Sequence, residues 1–332
     1  MGLLRLILAV WVLVAHSGGT LFGLRFAGPE LAVETFFIIS GFYMALILST
    51  RYRSKAGAFY FNRFLRLFPS YWIALAVFLG CSGAYWIATG HARYPWVGWN
   101  PSLGSLKVWF VAVFANLLIV GTDIFSWFHG GTYFSYVAIP PIWSVAIEII
   151  FYLFAPLVVR ARLSLQWGLF LAGLVIRGRL AARYGVTFAP TTVPFFLAGI
   201  LSYRLYTAAV EPFLPGKTWS RLGDLLTLVL ALGVCFPSYF VAREPTWYFA
   251  LVSISLPLVF AASKDRPWDA WVAQWSYPIY LCHWLLLILY ACVADRVASS
   301  LKVYFVLALT VALAAFVLYC DGYIQRKFKR KL

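Results

Sequence analysis

The chain has 332 residues, 63% of them hydrophobic and only 11% charged, with a mean hydropathy of +0.84. A soluble domain of this size carries roughly a quarter charged residues, so the composition excludes one and indicates a polytopic helical membrane protein. The net charge of +16 suggests nucleic acid or membrane, but apolar runs of bilayer length fill the chain and exclude a nucleic-acid partner.

Hydrophobic segments of near-spanning length, about 20 residues, lie near 3–22, 31–50, 67–88, 106–121, 140–159, 165–180, 191–207, 222–240, 246–262, 273–294 and 300–320. No polar block between them is long enough for a separate soluble domain, so one integral-membrane domain over 1–332 is expected, with none appended. The first segment lacks an A-x-A cleavage site and holds His16 in its apolar run, so it reads as an uncleaved span. Arg5 opens it and His16 follows eleven residues later. On a helix that separation is roughly 16 Å, and eleven steps of about 100° return to nearly the same face.

The next stretch, 51–66, holds Arg51, Arg53, Lys55, Arg63 and Arg66 and reads as a cytoplasmic loop. The tail QRKFKRKL is equally basic. Working back from it, Lys264 and Arg266, then Arg204, Lys217 and Arg221, then Arg160 and Arg162 also fall inside. Eleven full crossings cannot satisfy both ends. Segment 106–121 is short and follows a Pro/Gly/Asn-rich stretch, so it is expected to be re-entrant or partial, starting near 96 and bordering the functional cavity. The expected fold class is all-α, with about ten transmembrane helices, one re-entrant or partial segment and both termini cytoplasmic.

On this topology Glu148 lies about 12 Å and His16 about 14 Å below the outer boundary of a core about 30 Å thick. Ser40 and His283 also fall near the midplane. Intramembrane ionisable groups are expensive and usually functional. A His beside a carboxylate is wired as a general base or, equally, as a proton relay in a transporter or glycan flippase. The loop 122–139 is dense in aromatics and reads as an interfacial belt ahead of a sugar-stacking platform. Arg177, Arg179 and Arg183 lie on the outer side, against the positive-inside bias. The five cysteines are odd in number and form no C-x-x-C pair, so no metal is expected.

Five stretches stand in order along the chain: Arg5 followed by ten residues and His16; ETFFIISGF (34–42); NRFLRLFPSYW (62–72); WSVAIEIIFYLFAP (143–156); and YPIYLCHW (277–284). Together they resemble the membrane acyltransferase-3 family, bacterial enzymes that O-acylate surface and secreted glycans. Glu34 stands where the family more often has Asp, and Pro278 where it has Ser. The resemblance implies a bacterial inner-membrane enzyme with acetyl-CoA, or another short acyl-CoA, as donor. The acceptor would be a glycan or lipid-linked glycan, in the setting of exopolysaccharide O-acetylation; self-association into a homo-oligomer is left open.

It further implies His16 as general base or transient acyl carrier, oriented by Glu148. Arg5, Arg63 and Arg66 would hold the donor phosphates, with Tyr71 in the same motif. His283 would bind the donor or position the acceptor. Glu34, Ser40 and Trp143 would border the acceptor, although Ser40 with Gly41 reads first as a close helix approach, and Trp143, Ser144 and Tyr152 as shaping the helix around Glu148. Arg179 and Arg183 are expected to attract an anionic acceptor. A transporter needs no phosphate-binding basic pair, which sets the two readings apart.

Overall fold

The computed structural model describes residues 1–24, 28–90, 113–123, 137–212, 218–235, 246–294 and 297–329. The named helices, in chain order, are α1 Gly2–Ser17, α2 Pro29–Ser49, α3 Ala56–Thr89, α4 Trp143–Arg160, α5 Leu163–Tyr184, α6 Ala189–Leu205, α7 Thr218–Cys235, α8 Thr246–Ser263, α9 Pro267–Ala273, α10 Ser276–Val293 and α11 Lys302–Lys329. A 3₁₀ turn, Pro140–Ile142, leads into α4, and a π turn, Tyr206–Val210, closes α6. No strand occurs among the described residues. Among the described residues, seven helical stretches are long and apolar enough to cross a membrane: Pro29–Ser49, Ala56–Thr89, Pro140–Arg160, Ala189–Val210, Thr246–Ser263, Pro267–Val293 and Ser299–Phe328. The protein is an all-α, multi-pass membrane protein.

Two sequence expectations need correction. The first segment does not run to residue 22. Gly18 adopts a left-handed backbone (φ 66°) and its N–H bonds back to the Ala15 carbonyl, the ordinary glycine stop of a helix. His16 therefore stands in the last turn of α1, not in mid-helix. Nor is 51–66 a loop: α3 begins at Ala56 and carries Arg63 and Arg66 as helical residues. Of the expected re-entrant segment, 113–118 is helical and the stretch before 113 lies outside the described residues, as does most of the aromatic loop at 124–136.

Helix α2 runs through the centre of the bundle, with two thirds of its residues buried, Glu34 and Ser40 among them. It crosses α6 at a pair of glycines. A Cβ on Gly41 would collide with the Phe196 carbonyl, and one on Gly199 with the Ile38 carbonyl and the Phe42 nitrogen. Backbones that close are open only to glycine. The aromatic stack of Phe196 on Phe151 (4.1 Å) and Phe37 (4.7 Å) extends the contact to α4.

The start of α1 is fixed by α9. The Asp269 carboxylate accepts from the backbone nitrogens of Met1 (2.8 Å), Gly2 (2.6 Å) and Leu3 (2.9 Å). It thereby satisfies orphan donors and the positive end of the helix dipole. Gly2 again permits the approach, since a Cβ there would meet the Asp269 carbonyl. One turn further along sits Arg5. On the opposite flank, α5 buries only Gln166 and Gly173 and exposes most of its remaining length, as a lipid-facing wall does.

Candidate functional site

Two connected cavities meet at α1. The inner one, about 70 Å³, is walled by α1, α2, α3, α4 and α10; the outer vestibule, about 950 Å³, lies between α3, α9, α10 and the C-terminal half of α11. Arg5, Tyr43, Arg66 and Tyr277 line both and form the neck between them. The vestibule reaches the upper end of the usual range for small-molecule sites, about 300–1,000 Å³.

Charge in the inner cavity is unbalanced. Arg5, Arg63 and Arg66 line it against a single carboxylate, Glu148. Arg63 is 8% exposed, yet among the described residues its Nε has no hydrogen-bond partner. Its NH2 group reaches Asn62 Oδ1 at 3.2 Å, and its guanidinium lies 5.8 Å over the Tyr152 ring. Burying a guanidinium edge without a partner is costly, and an anion in the cavity could supply one. Arginine forks match phosphate oxygens in geometry.

Glu148 is held on one side only. Ser40 and Tyr152 both donate to Oε1, each at 2.5 Å, and no described residue is bonded to Oε2. Ser40 comes from α2 and Tyr152 from one turn further along α4, so the carboxylate joins the central helix to its neighbour. The Ser144 and Tyr280 hydroxyls meet at 2.7 Å at the same cavity, with Tyr280 donating to the Pro141 carbonyl (2.7 Å).

His16 is not paired with Glu148. Its Nδ1 lies 3.0 Å from Nε2 of His283, and His283 Nδ1 lies 2.7 Å from the Tyr280 carbonyl. Trp284 stands edge-on to His16, with ring centroids 5.4 Å apart. The expected His16–Glu148 contact relied on a longer α1. With the helix stopped at Ser17, His16 meets the middle of α10 instead. Neither His16 nor His283 lines the two cavities; Tyr280, which lines the inner one, is bonded to His283 through its backbone carbonyl.

The remaining expected site residues separate. Tyr71 is fully buried and donates to the Asn116 carbonyl at 2.6 Å, so it braces the wall behind the arginines. Glu34 forms a buried ion pair with Arg177 at 2.7 Å, and Arg177 lies 4.6 Å over the Phe195 ring. Trp143 is partly buried against the core. Arg179 and Arg183 are exposed on α5, away from both cavities. Sequence reasoning missed Tyr43 and Tyr277 at the neck. Tyr277 begins the YPIY stretch, and Tyr43 follows SGF directly, so both were in view but carried no chemical label.

No curated protein and no solved structure matches the chain. A family model described as an acyltransferase domain, of the acyltransferase-3 type, matches residues 1–320. With nearly the whole length covered, the chain belongs to that family of membrane acyltransferases.

Proposed function

We propose that the protein moves a short acyl group, acetyl by default and succinyl as the alternative, from acyl-CoA to a hydroxyl of a cell-surface or secreted polysaccharide or its lipid-linked precursor. It does so in the bacterial inner membrane, with ten crossings and both termini cytoplasmic, so that the vestibule opens to the cytoplasm where acyl-CoA is made.

The observation that carries this reading is the arginine-lined cavity with the unpartnered, buried Arg63 Nε. Arg5 and Arg66 at the neck and Arg63 within take the phosphates of the donor. The vestibule, with Gln274, Gln325 and Arg326 in its wall, takes the nucleotide end. Glu148 Oε2 accepts an amide N–H of the pantetheine arm. The stripe of α1 from Arg5 to His16, roughly 16 Å, guides that arm toward the imidazole. The acceptor hydroxyl approaches His16 from the open end of α1, drawn to that face by Arg179 and Arg183 when it is anionic.

Binding of labelled acetyl-CoA to inside-out and right-side-out membrane vesicles tests the donor site. Inside-out vesicles bind it and right-side-out vesicles do not. Arg63→Met weakens binding about 10–100-fold, the worth of a charge-assisted hydrogen bond at about 1.5–3 kcal/mol. Binding unchanged in Arg63→Met, or equal in the two orientations, contradicts the reading.

A further inference from the structure

We infer that His283 is the positioning residue of the reaction: it fixes the tautomer of His16 so that His16 Nε2 carries the lone pair that takes the acceptor proton. The inference rests on the acyl-transfer reading above.

A peptide carbonyl can only accept, so the 2.7 Å contact with the Tyr280 carbonyl requires His283 Nδ1 to carry its proton. In the neutral ring Nε2 is then an acceptor. The 3.0 Å contact with His16 Nδ1 must accordingly be donated by His16. Only one nitrogen of His16 remains, Nε2, and it is unprotonated. The ring planes are parallel within 3° and the centroids 5.2 Å apart. That separation exceeds the N···N contact by about two ring radii, so the rings lie end to end in one plane, as a straight N–H···N bond prefers. Trp284 meets both rings edge-on, at 89° to His16 and 88° to His283, and resists rotation out of that plane.

The usual orienting partner of a catalytic histidine is a carboxylate. Here it is a second imidazole, 0% exposed. Full burial explains the choice: a neutral partner sets the tautomer without an unpaired buried anion, whose desolvation is costly. In the transfer, His16 Nε2 takes the hydroxyl proton as the new oxygen–carbon bond forms. It returns that proton to the departing thiolate as the carbon–sulfur bond breaks, giving the ester and coenzyme A. Throughout, the proton between the two rings stays on His16 Nδ1 and its bond to His283 strengthens while His16 is cationic. His283 acts through His16 and touches no substrate.

The test is the nitrogen NMR spectrum of histidine-labelled protein in lipid nanodiscs, read beside turnover of labelled acetyl-CoA with a crude bacterial glycan extract. The chain has 4 histidines, so single variants assign the spectrum. In wild type, His16 shows a protonated Nδ1 and a bare Nε2. His283→Leu releases it to a mixture of tautomers and lowers kcat about 10²-fold or more, within the worth of a positioned base, with the dissociation constant for acetyl-CoA within twofold of wild type. His283→Gln, whose amide oxygen accepts from His16 Nδ1, restores the single tautomer and most of the rate. A wild-type His16 with its proton on Nε2 overturns the inference outright, even if His283→Leu does not fold. So does an unchanged kcat in a folded His283→Leu. Wild type that consumes no acetyl-CoA defeats the acyl-transfer reading, and the nitrogen spectrum alone then decides the role of His283.

Discussion

Glu34 brings a carboxylate into the first turns of α2, where it is 3% exposed, and Arg177 answers it from α5. Removing one partner of such a pair leaves a buried charge uncompensated, at about 3–5 kcal/mol. Glu34→Gln and Arg177→Met should each lower the thermal unfolding midpoint of the detergent-solubilised protein clearly. The double variant should recover part of the loss, because neither charge is then left alone. Single variants that melt with wild type would mean the pair contributes nothing. The residue types were legible in the sequence: three arginines that come to line one cavity, a histidine in an apolar helix, and an acidic residue at 34. Their partners were not. Glu34 and Arg177 are separated by the rest of α2, all of α3 and α4 and most of α5, and only the placement of α5 against α2 decides that they meet. Glu148 and His16 were assigned to each other on depth and on the family resemblance, and depth depends on where a helix stops.

At the scale of elements, the α2–α6 crossing fixes Ser40, because Gly41 beside it lies against the backbone of Phe196. Gly199→Ala puts a methyl group into the Ile38 carbonyl and must drive the helices apart, at a typical overpacking cost of about 1–3 kcal/mol. The shift carries Ser40 away from Glu148, so the variant should lose activity out of proportion to its loss of stability. Gly178→Ala, where a Cβ meets nothing, should change neither. Measured midpoints and turnover that fall equally for the two glycines would contradict this account. The serine–glycine pair in α2 announced a close approach from sequence. The end of α1 was announced too, by Gly18 and Gly19, but apolar residues continue to Phe22 and hydropathy carried the segment past the stop. The stretch 51–66 was read as a loop on charge density, although the i, i+3 spacing of Arg63 and Arg66 fits one helical face, and α3 carries both as helical residues.

Across the whole molecule, basic residues from distant parts of the chain gather at one vestibule. Arg5 from α1, Arg66 from α3 and Arg326 from α11 all face the same vestibule, although they span nearly the full sequence. Membrane class and family could be read from composition and from five ordered motifs. The vestibule could not, because its walls come from helices whose packing no local pattern encodes. The central claim joins this donor end to the imidazole pair farther along α1. One measurement tests it most directly: release of coenzyme A from labelled acetyl-CoA by purified protein in lipid, with the crude glycan extract present, for wild type and His16→Ala. The account predicts turnover in wild type, a loss of at least about 10²-fold in the variant, and equal donor binding in both. Full turnover in His16→Ala, or donor binding lost along with turnover, would place the chemistry elsewhere and contradict it.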